Sequence, residues 1–196
     1  MIAPVGRQKQ AVHGQITIRP MRSRHLDGVH AIEKLVYPRP WSNDLFRAEM
    51  AQADRSFIVA ATPGPRQPRR RDIVVGYGGI QMIANDAHLI TVASHPAWRR
   101  LGIGAQLVVE LIAAAAKRQA EAVTLEVRDS NHPARMLYAA FGFEDVGARP
   151  GYYADNREDA RILWLHRLPA DDVRATIVAE AKRRNLTVPA VLTRPR

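Results

Sequence analysis

Hydrophobic and polar positions recur along the chain at two periods, and the switches between them divide it into elements. Ile16 to Arg19 alternates like a short strand. From His25 to Tyr37, Leu26, Val29, Ile32, Leu35 and Val36 recur at helical spacing, and Pro38-Arg-Pro40 ends the run. Ser42 is a candidate N-cap for a second short helix through Met50, with Leu45, Phe46 and Met50 inward. Ser56 to Ala61 and Ile73 to Ile83 read as neighbouring strands. Between them Thr62 to Asp72 carries prolines and repelling arginines that disfavour regular structure, so a hairpin with a long basic loop is expected. Ala87 to Ser94 makes a fourth strand. Leu101 to Arg118 follows as a strong helix with Leu107, Val108, Leu111, Ile112 and Ala115 on one face. Val123 to Arg128 is a fifth strand, and a helix from Asn131 to Ala140 stops at Gly142. Phe143 to Tyr153 and Arg161 to Arg167 complete an antiparallel pair, and Asp171 to Arg184 adds an amphipathic helix beyond Pro169.

The order β-α-α-β-β-β-α-β-α-β-β predicts an α/β fold, a mixed sheet of six to seven strands with helices on both faces. A length of 196 residues, 46% of them hydrophobic, suits one compact domain. It is expected over residues 16–168, preceded by a disordered basic N-terminus over 1–15 and followed by a basic, partly helical extension over 169–196.

Composition removes several chemistries. The chain has no cysteine, which excludes disulfides, thiolate metal sites and an acyl-thiol enzyme. Its seven histidines show no ligand spacing, so no metal is expected. The longest apolar helical stretch, Leu107 to Ala116, is interrupted by Glu110 and too short to span a bilayer, and Met1 to Gln15 has no apolar signal core. A cytoplasmic protein is expected. The net charge of +10 is peripheral: residues 1–15 carry +2, 16–61 +2, 62–72 +3, 73–168 zero and 169–196 +3. That distribution does not suggest sequence-specific DNA binding. Solvated tails and a loop account for it, and they leave room for a ribosome contact.

Candidate chemistry collects after the fourth strand. Gly102 and Gly104, within Arg99-Arg100-Leu101-Gly102-Ile103-Gly104-Ala105, sit between a strand and a helix, where backbone N–H groups and the helix N-terminus suit an anion such as a diphosphate. The third glycine of a dinucleotide fingerprint and the lysine of a P-loop are both missing. In the fifth strand Thr124, Glu126 and Arg128 share the face opposite Val123, Leu125 and Val127. A sheet-centre carboxylate at Glu126 calls for a salt-bridge partner or a catalytic task. Tyr138 lies late in the following helix as a core phenol or a proton donor, and Asn131 opens that helix as an N-cap.

Strand, R-x-x-G-x-G and helix, then Leu125-Glu-Val-Arg-Asp-Ser-Asn131, Ala134, Leu137, Tyr138 and Phe141-Gly-Phe143, resemble the coenzyme A site of the GCN5-related N-acetyltransferase (GNAT) superfamily. With Pro40-Trp-Ser42 and Gly151-Tyr-Tyr153 ahead of Arg157-Glu-Asp-Ala160, residues 16–168 look like its RimI branch, the ribosomal-protein-alanine N-acetyltransferases. The resemblance implies a mostly antiparallel sheet with two strands splayed at the coenzyme, acetyl-CoA as acetyl donor, and a protein N-terminus as acceptor. It also implies Glu126 as general base, Tyr138 as the acid that protonates the leaving thiolate, and Asn131 as a coenzyme contact. Val92, Ala93 and Ser94 would pair their backbone with the pantetheine arm, although Ser94 stands where valine is usual. Trp41, Tyr152 and Tyr153 are candidate walls of the acceptor pocket. The alternatives are a lysine or small-molecule amine acetyltransferase, or a non-catalytic ribosome- or nucleic-acid-binding module.

Overall fold

The computed structural model describes residues 16–64, 72–168 and 170–193. The disorder expected over 1–15, and the stretch 65–71 of the basic loop for which a ribosome contact was left open, fall outside the described residues. Among those described, seven strands form one open sheet: β1 (Thr17–Pro20), β2 (Arg55–Pro63), β3 (Asp72–Ile83), β4 (Asp86–Ser94), β5 (Val123–Arg128), β6 (Glu144–Tyr153) and β7 (Glu158–Leu165), in the order β1-β2-β3-β4-β5-β7-β6. The helices are α1 (Leu26–Val36), α2 (Asn43–Met50), α3 (Ile103–Lys117), α4 (His132–Ala140), α5 (Asp171–Arg183) and α6 (Ala190–Thr193). The sheet is mixed and mostly antiparallel, the architecture expected from the sequence.

Pleat alternation sorts the core into two layers. On one face α3 buries Leu107, Val108, Leu111 and Ile112. On the other, Leu26, Val29 and Ile32 of α1 and Phe46 of α2 meet Phe57, Val59 and Tyr77. A Cβ on Gly78 would stand 2.8 Å from Leu111 Cδ1, so glycine there admits the close approach of α3.

β4 and β5 run parallel and pair only at Ala87/Val123 and His88/Thr124, after which they part. The crossover that a parallel pair requires is α3. In β4 the register with β3 jumps from Leu89/Ile80 to Thr91/Gly79, leaving Ile90 as a bulge where the strands separate.

Several boundaries differ from the periodicity. The third helix starts at Ile103 rather than Leu101, because Arg100 and Gly102 take left-handed conformations at φ +61 and +74. Thr62, Pro63 and Asp72 belong to the β2–β3 ladder, with Pro63 opposite Asp72, and Arg19 holds Asp72 at 2.8 Å. β7 begins at Glu158, three residues before Arg161, because it lies between β5 and β6 and Ala160 pairs with both.

The largest correction concerns the stretch after Pro169, which is not a solvated tail over 170–193. Ile177, Ala181 and Leu192 are buried in the same core as α3. Gln106 on α3 accepts from the Thr187 N–H and donates to the Thr187 carbonyl, both at 2.9 Å, and Arg183 and Arg184 pair with Glu180 at 2.7 and 2.5 Å.

Candidate active site

The parting of β4 from β5 opens a cleft beside Glu126. Alternation along β5 turns Val123, Leu125 and Val127 into the core and leaves Glu126 on the opposite face, its side chain 10% exposed. His88, which opens the parting from the β4 side, places Nε2 3.1 Å from Glu126 Oε2 and Nδ1 2.9 Å from Thr124 Oγ1. Burial lowers the His88 pKa, against the pull of Glu126, and Arg149 lowers it further, which keeps the ring neutral at pH 7. An ionised carboxylate can only accept, so the Nε2–H donates to Glu126 and Nδ1 accepts from the Thr124 hydroxyl. Arg149 reaches the other oxygen, with Nη2 3.1 Å from Oε1. The ion pair that the sequence left open as one account of Glu126 is therefore present.

Tyr138, buried on α4, packs its ring edge-on against Phe143 at 5.4 Å. Burial raises its pKa, and the neighbouring phenols of Tyr37 and Tyr153 add to the effect, so the hydroxyl stays protonated throughout the neutral range. Tyr37 closes α1 and bonds Thr91 Oγ1 on β4 at 3.2 Å. Tyr153, raised to about 12 chiefly by burial, lies under the Arg128 guanidinium at 3.9 Å. Arg128 in turn binds Asp155 and Glu158 at 2.7 and 2.9 Å. It and, more weakly, Arg39 hold the Asp155 carboxyl below its usual range, so the α1–α2 loop faces the tip of the β6–β7 hairpin. Of the expected acceptor walls, Tyr153 lies against Arg128 and Tyr152 is exposed, edge-on to Tyr153 at 5.2 Å. Trp41, half-buried, packs 5.2 Å from Phe46, with its backbone N–H on Glu33 at 2.7 Å and its carbonyl on His30 at 2.8 Å.

The glycine turn joins the cleft from the α3 side. Ile103, Gly104 and Ala105 open the helix, whose first turn leaves N–H groups without helical acceptors, and the Gly102 carbonyl takes Gln106 at 2.9 Å. Arg99 and Arg100 are exposed and form no ion pair among the described residues. Leu101 lies half-buried beside them. Gly102 needs glycine for its positive φ. Gly104 does not: its φ is ordinary, and a Cβ there would meet nothing closer than Leu137 Cδ2 at 3.8 Å. The protein's own packing thus gives no reason for glycine at 104, whereas close approach of a diphosphate to the helix N-terminus does. The residues present fit coenzyme A. Val92, Ala93 and Ser94 pair with Gly78, Tyr77 and Gly76 of β3 on one side and, among the described residues, with no strand on the other. Asn131 caps α4, accepting from Ala134 N–H at 3.3 Å.

Sequence reading missed His88, Tyr37 and Arg149. His88 had a signal in its place before an apolar strand, but its partner depends on the β4–β5 register. Arg149 had none.

A splayed β4–β5 pair with a glycine turn leading into the crossover helix is the architecture of an acyl-coenzyme A transferase. The chain matches the acetyltransferase (GNAT) family over residues 26–143 and belongs to that family; it is an acetyltransferase that uses acetyl-CoA. It is 30% identical over 151 residues to the ribosomal protein bS18-alanine N-acetyltransferase of Escherichia coli (strain K12), covering 76% of this chain and 96% of that one. A Bacillus subtilis (strain 168) protein provisionally assigned the same reaction is 34% identical over 149 residues, covering 76% and 93%. The crystal structure of the E. coli ribosomal-protein-S18-alanine N-acetyltransferase aligns with a TM-score of 0.65 at 28% identity, over 78% of this chain and 94% of that one. Arabidopsis thaliana NAA60 in complex with acetyl-CoA shares the fold, with a TM-score of 0.66 at 17% identity over 77% and 98%. No described helix is long and apolar enough to cross a membrane.

Proposed function

We propose that this acetyltransferase modifies the α-amine of a protein N-terminus in the cytoplasm, with the N-terminal alanine of ribosomal protein bS18, the acceptor named for its E. coli relative, as the leading candidate. The observation that carries the reading is the Glu126 carboxylate, held by neutral His88 where β4 leaves β5. Bound acetyl-CoA supplies a thioester open to direct attack by the amine, and the chain has no cysteine to hold the acetyl group in between. Residues 99–105 and Asn131 hold the coenzyme, and the free side of Val92–Ser94 borders its arm.

Glu126 takes the proton that the amine releases, while His88 fixes the orientation of its carboxylate. Tyr138, protonated by virtue of its burial, donates to the departing sulfur. An α-amine of pKa near 8 costs about 1 kcal/mol to deprotonate at pH 7 and a lysine of pKa near 10.4 nearly 5, which favours the N-terminal acceptor. Tyr153, Tyr152, the Trp41 loop and the hairpin tip at Asp155 frame the acceptor's entrance. Within the chain, 16–168 is the catalytic domain and 170–193 braces α3.

A coupled thiol-release assay tests this over peptides with a free N-terminal alanine, the same peptides N-blocked but carrying lysine, and small polyamines. Turnover confined to the free N-termini is expected. Preferred turnover of lysine or polyamines would replace the acceptor assignment. No acetyl-CoA-induced rise in melting temperature would remove the coenzyme assignment as well.

A further inference from the structure

The two partners of Glu126 differ in how firmly they are held. His88 lies within the sheet and is fixed on its far side by Thr124. Arg149 starts on the edge strand β6 and must cross β7 to reach β5. The ladders align Arg149 with Ala160 and Ala160 with Arg128, whereas Glu126 aligns with Ile162 and Gly147, so the Arg149 side chain reaches diagonally, two residues along as well as across about two strand spacings, roughly 9.6 Å. Its side chain is 55% exposed, its ion pair among the described residues is with Glu126, and its guanidinium carbon stands 5.5 Å from the exposed Tyr152 ring. An edge-strand arginine with solvent on its outer side needs no inward partner, yet this one lies across the sheet with its charge on the carboxylate proposed as base.

We propose that Arg149 is a latch on that base: without acceptor it occupies Glu126, and the acceptor's ammonium displaces it, cation for cation, so that the carboxylate is free only when an amine is in place. The inference rests on the reading of Glu126 as general base. The exchange leaves the charge of the cleft unchanged, and a half-exposed guanidinium has water to move into. The other groups facing Glu126 stay put: His88 from β4, Thr124 and Arg128 along β5, the latter tied to Asp155 and Glu158, and Tyr153 from β6. The latch suppresses a wasteful reaction. In hydrolysis a water oxygen bonds the acyl carbon, the carbon–sulfur bond breaks, one water proton passes to Glu126 and the sulfur takes a proton from Tyr138; the acetic acid formed loses the second water proton to solvent as acetate, the coenzyme leaves as free thiol, and solvent exchange returns a proton from Glu126 to Tyr138. A Glu126 neutralised by Arg149 is a poor acceptor for that first proton. Uncharged nucleophiles cannot replace the guanidinium, so the latch also selects for cationic acceptors.

Two readouts test Arg149→Met. Acetyl-CoA hydrolysis without acceptor should rise about tenfold, on the scale of a modest general-base contribution. The peptide KM should fall roughly two- to fivefold with kcat little changed, as expected when an exposed ion pair no longer competes. Arg149→Lys should restore most of the wild-type values, and Glu126→Gln combined with Arg149→Met should abolish the gain in hydrolysis. Unchanged hydrolysis and KM would overturn the latch, and a raised KM would make Arg149 an acceptor contact instead. Glu126→Gln alone separates the two readings. Wild-type kcat there removes the base assignment, whereas a crippled Glu126→Gln beside a silent Arg149→Met removes the latch only.

Discussion

Replacing Glu33 with glutamine should make the protein more stable than wild type at alkaline pH and leave it unchanged at acid pH. Glu33 lies on α1, 3% exposed, and accepts from the Trp41 N–H at 2.7 Å and from the Tyr77 hydroxyl. Burial raises its pKa from the ordinary 4.5 to about 7, although the Trp41 N–H pulls the other way. An acid whose folded pKa lies above its unfolded value holds, between the two, a proton that the unfolded chain has released, so rising pH favours unfolding. Below about 4.5 both states are protonated and there is no penalty; above about 7 both are ionised and the penalty is complete. At about 1.36 kcal/mol per pH unit the displacement is worth at most about 3.4 kcal/mol, and residual hydration of the carboxylate brings that to about 2 kcal/mol. Glutamine keeps both contacts, its carbonyl accepting from Trp41 and its amide donating to the Tyr77 oxygen. Urea denaturation of both proteins at pH 4, 6, 7 and 8, followed by tryptophan fluorescence, isolates the effect, because other titrating groups cancel in the difference. Glu33→Gln should match wild type within about 0.5 kcal/mol at pH 4 and exceed it by about 2 kcal/mol at pH 8. A difference that stays constant with pH, or grows towards acid, would refute the reasoning.

Gly104→Asp should preserve or slightly raise the melting temperature, since aspartate suits a helix's first turn, yet weaken acetyl-CoA binding by calorimetry more than about tenfold. Equal affinity would leave the glycine without a ligand role. Gly102→Ala should cost roughly 1–2 kcal/mol of stability, the penalty of a left-handed alanine; a change near zero would deny the strain at this position. Ile177→Ala, which truncates a fully buried side chain on α5, should cost about 2–5 kcal/mol in urea denaturation, and a change below about 0.5 would mean that the extension is peripheral to the fold. Tyr138→Phe and Glu126→Gln should each lower kcat roughly ten- to a thousandfold while retaining coenzyme affinity. Only the glutamine variant should recover as pH rises and the α-amine deprotonates unaided; a flat profile for it would make Glu126 a structural carboxylate.

Much of the frame was legible in one dimension. Pleat alternation put Glu126 on the face opposite Leu125, and helical spacing marked the buried stripe of α3, because burial selects side chains at the local period of the backbone. The glycines at 102 and 104 marked the turn because their chemistry is a property of the residue itself. What the tertiary structure decided was which groups meet. The partners of Glu126 depend on a two-rung parallel register between β4 and β5 and on β7 lying between β5 and β6, so neither His88 nor Arg149 could be assigned from spacing. Trp41 read as a pocket wall, and spacing alone did not show its packing on Phe46. The stretch after Pro169 read as a basic extension with an amphipathic helix from Asp171, but neither periodicity nor charge reveals that α3 has an outer surface to receive Ile177 and Leu192. Periodicity is set by each segment's own geometry, whereas contacts between segments depend on strand order, register and the surfaces left uncovered, which belong to the chain as a whole.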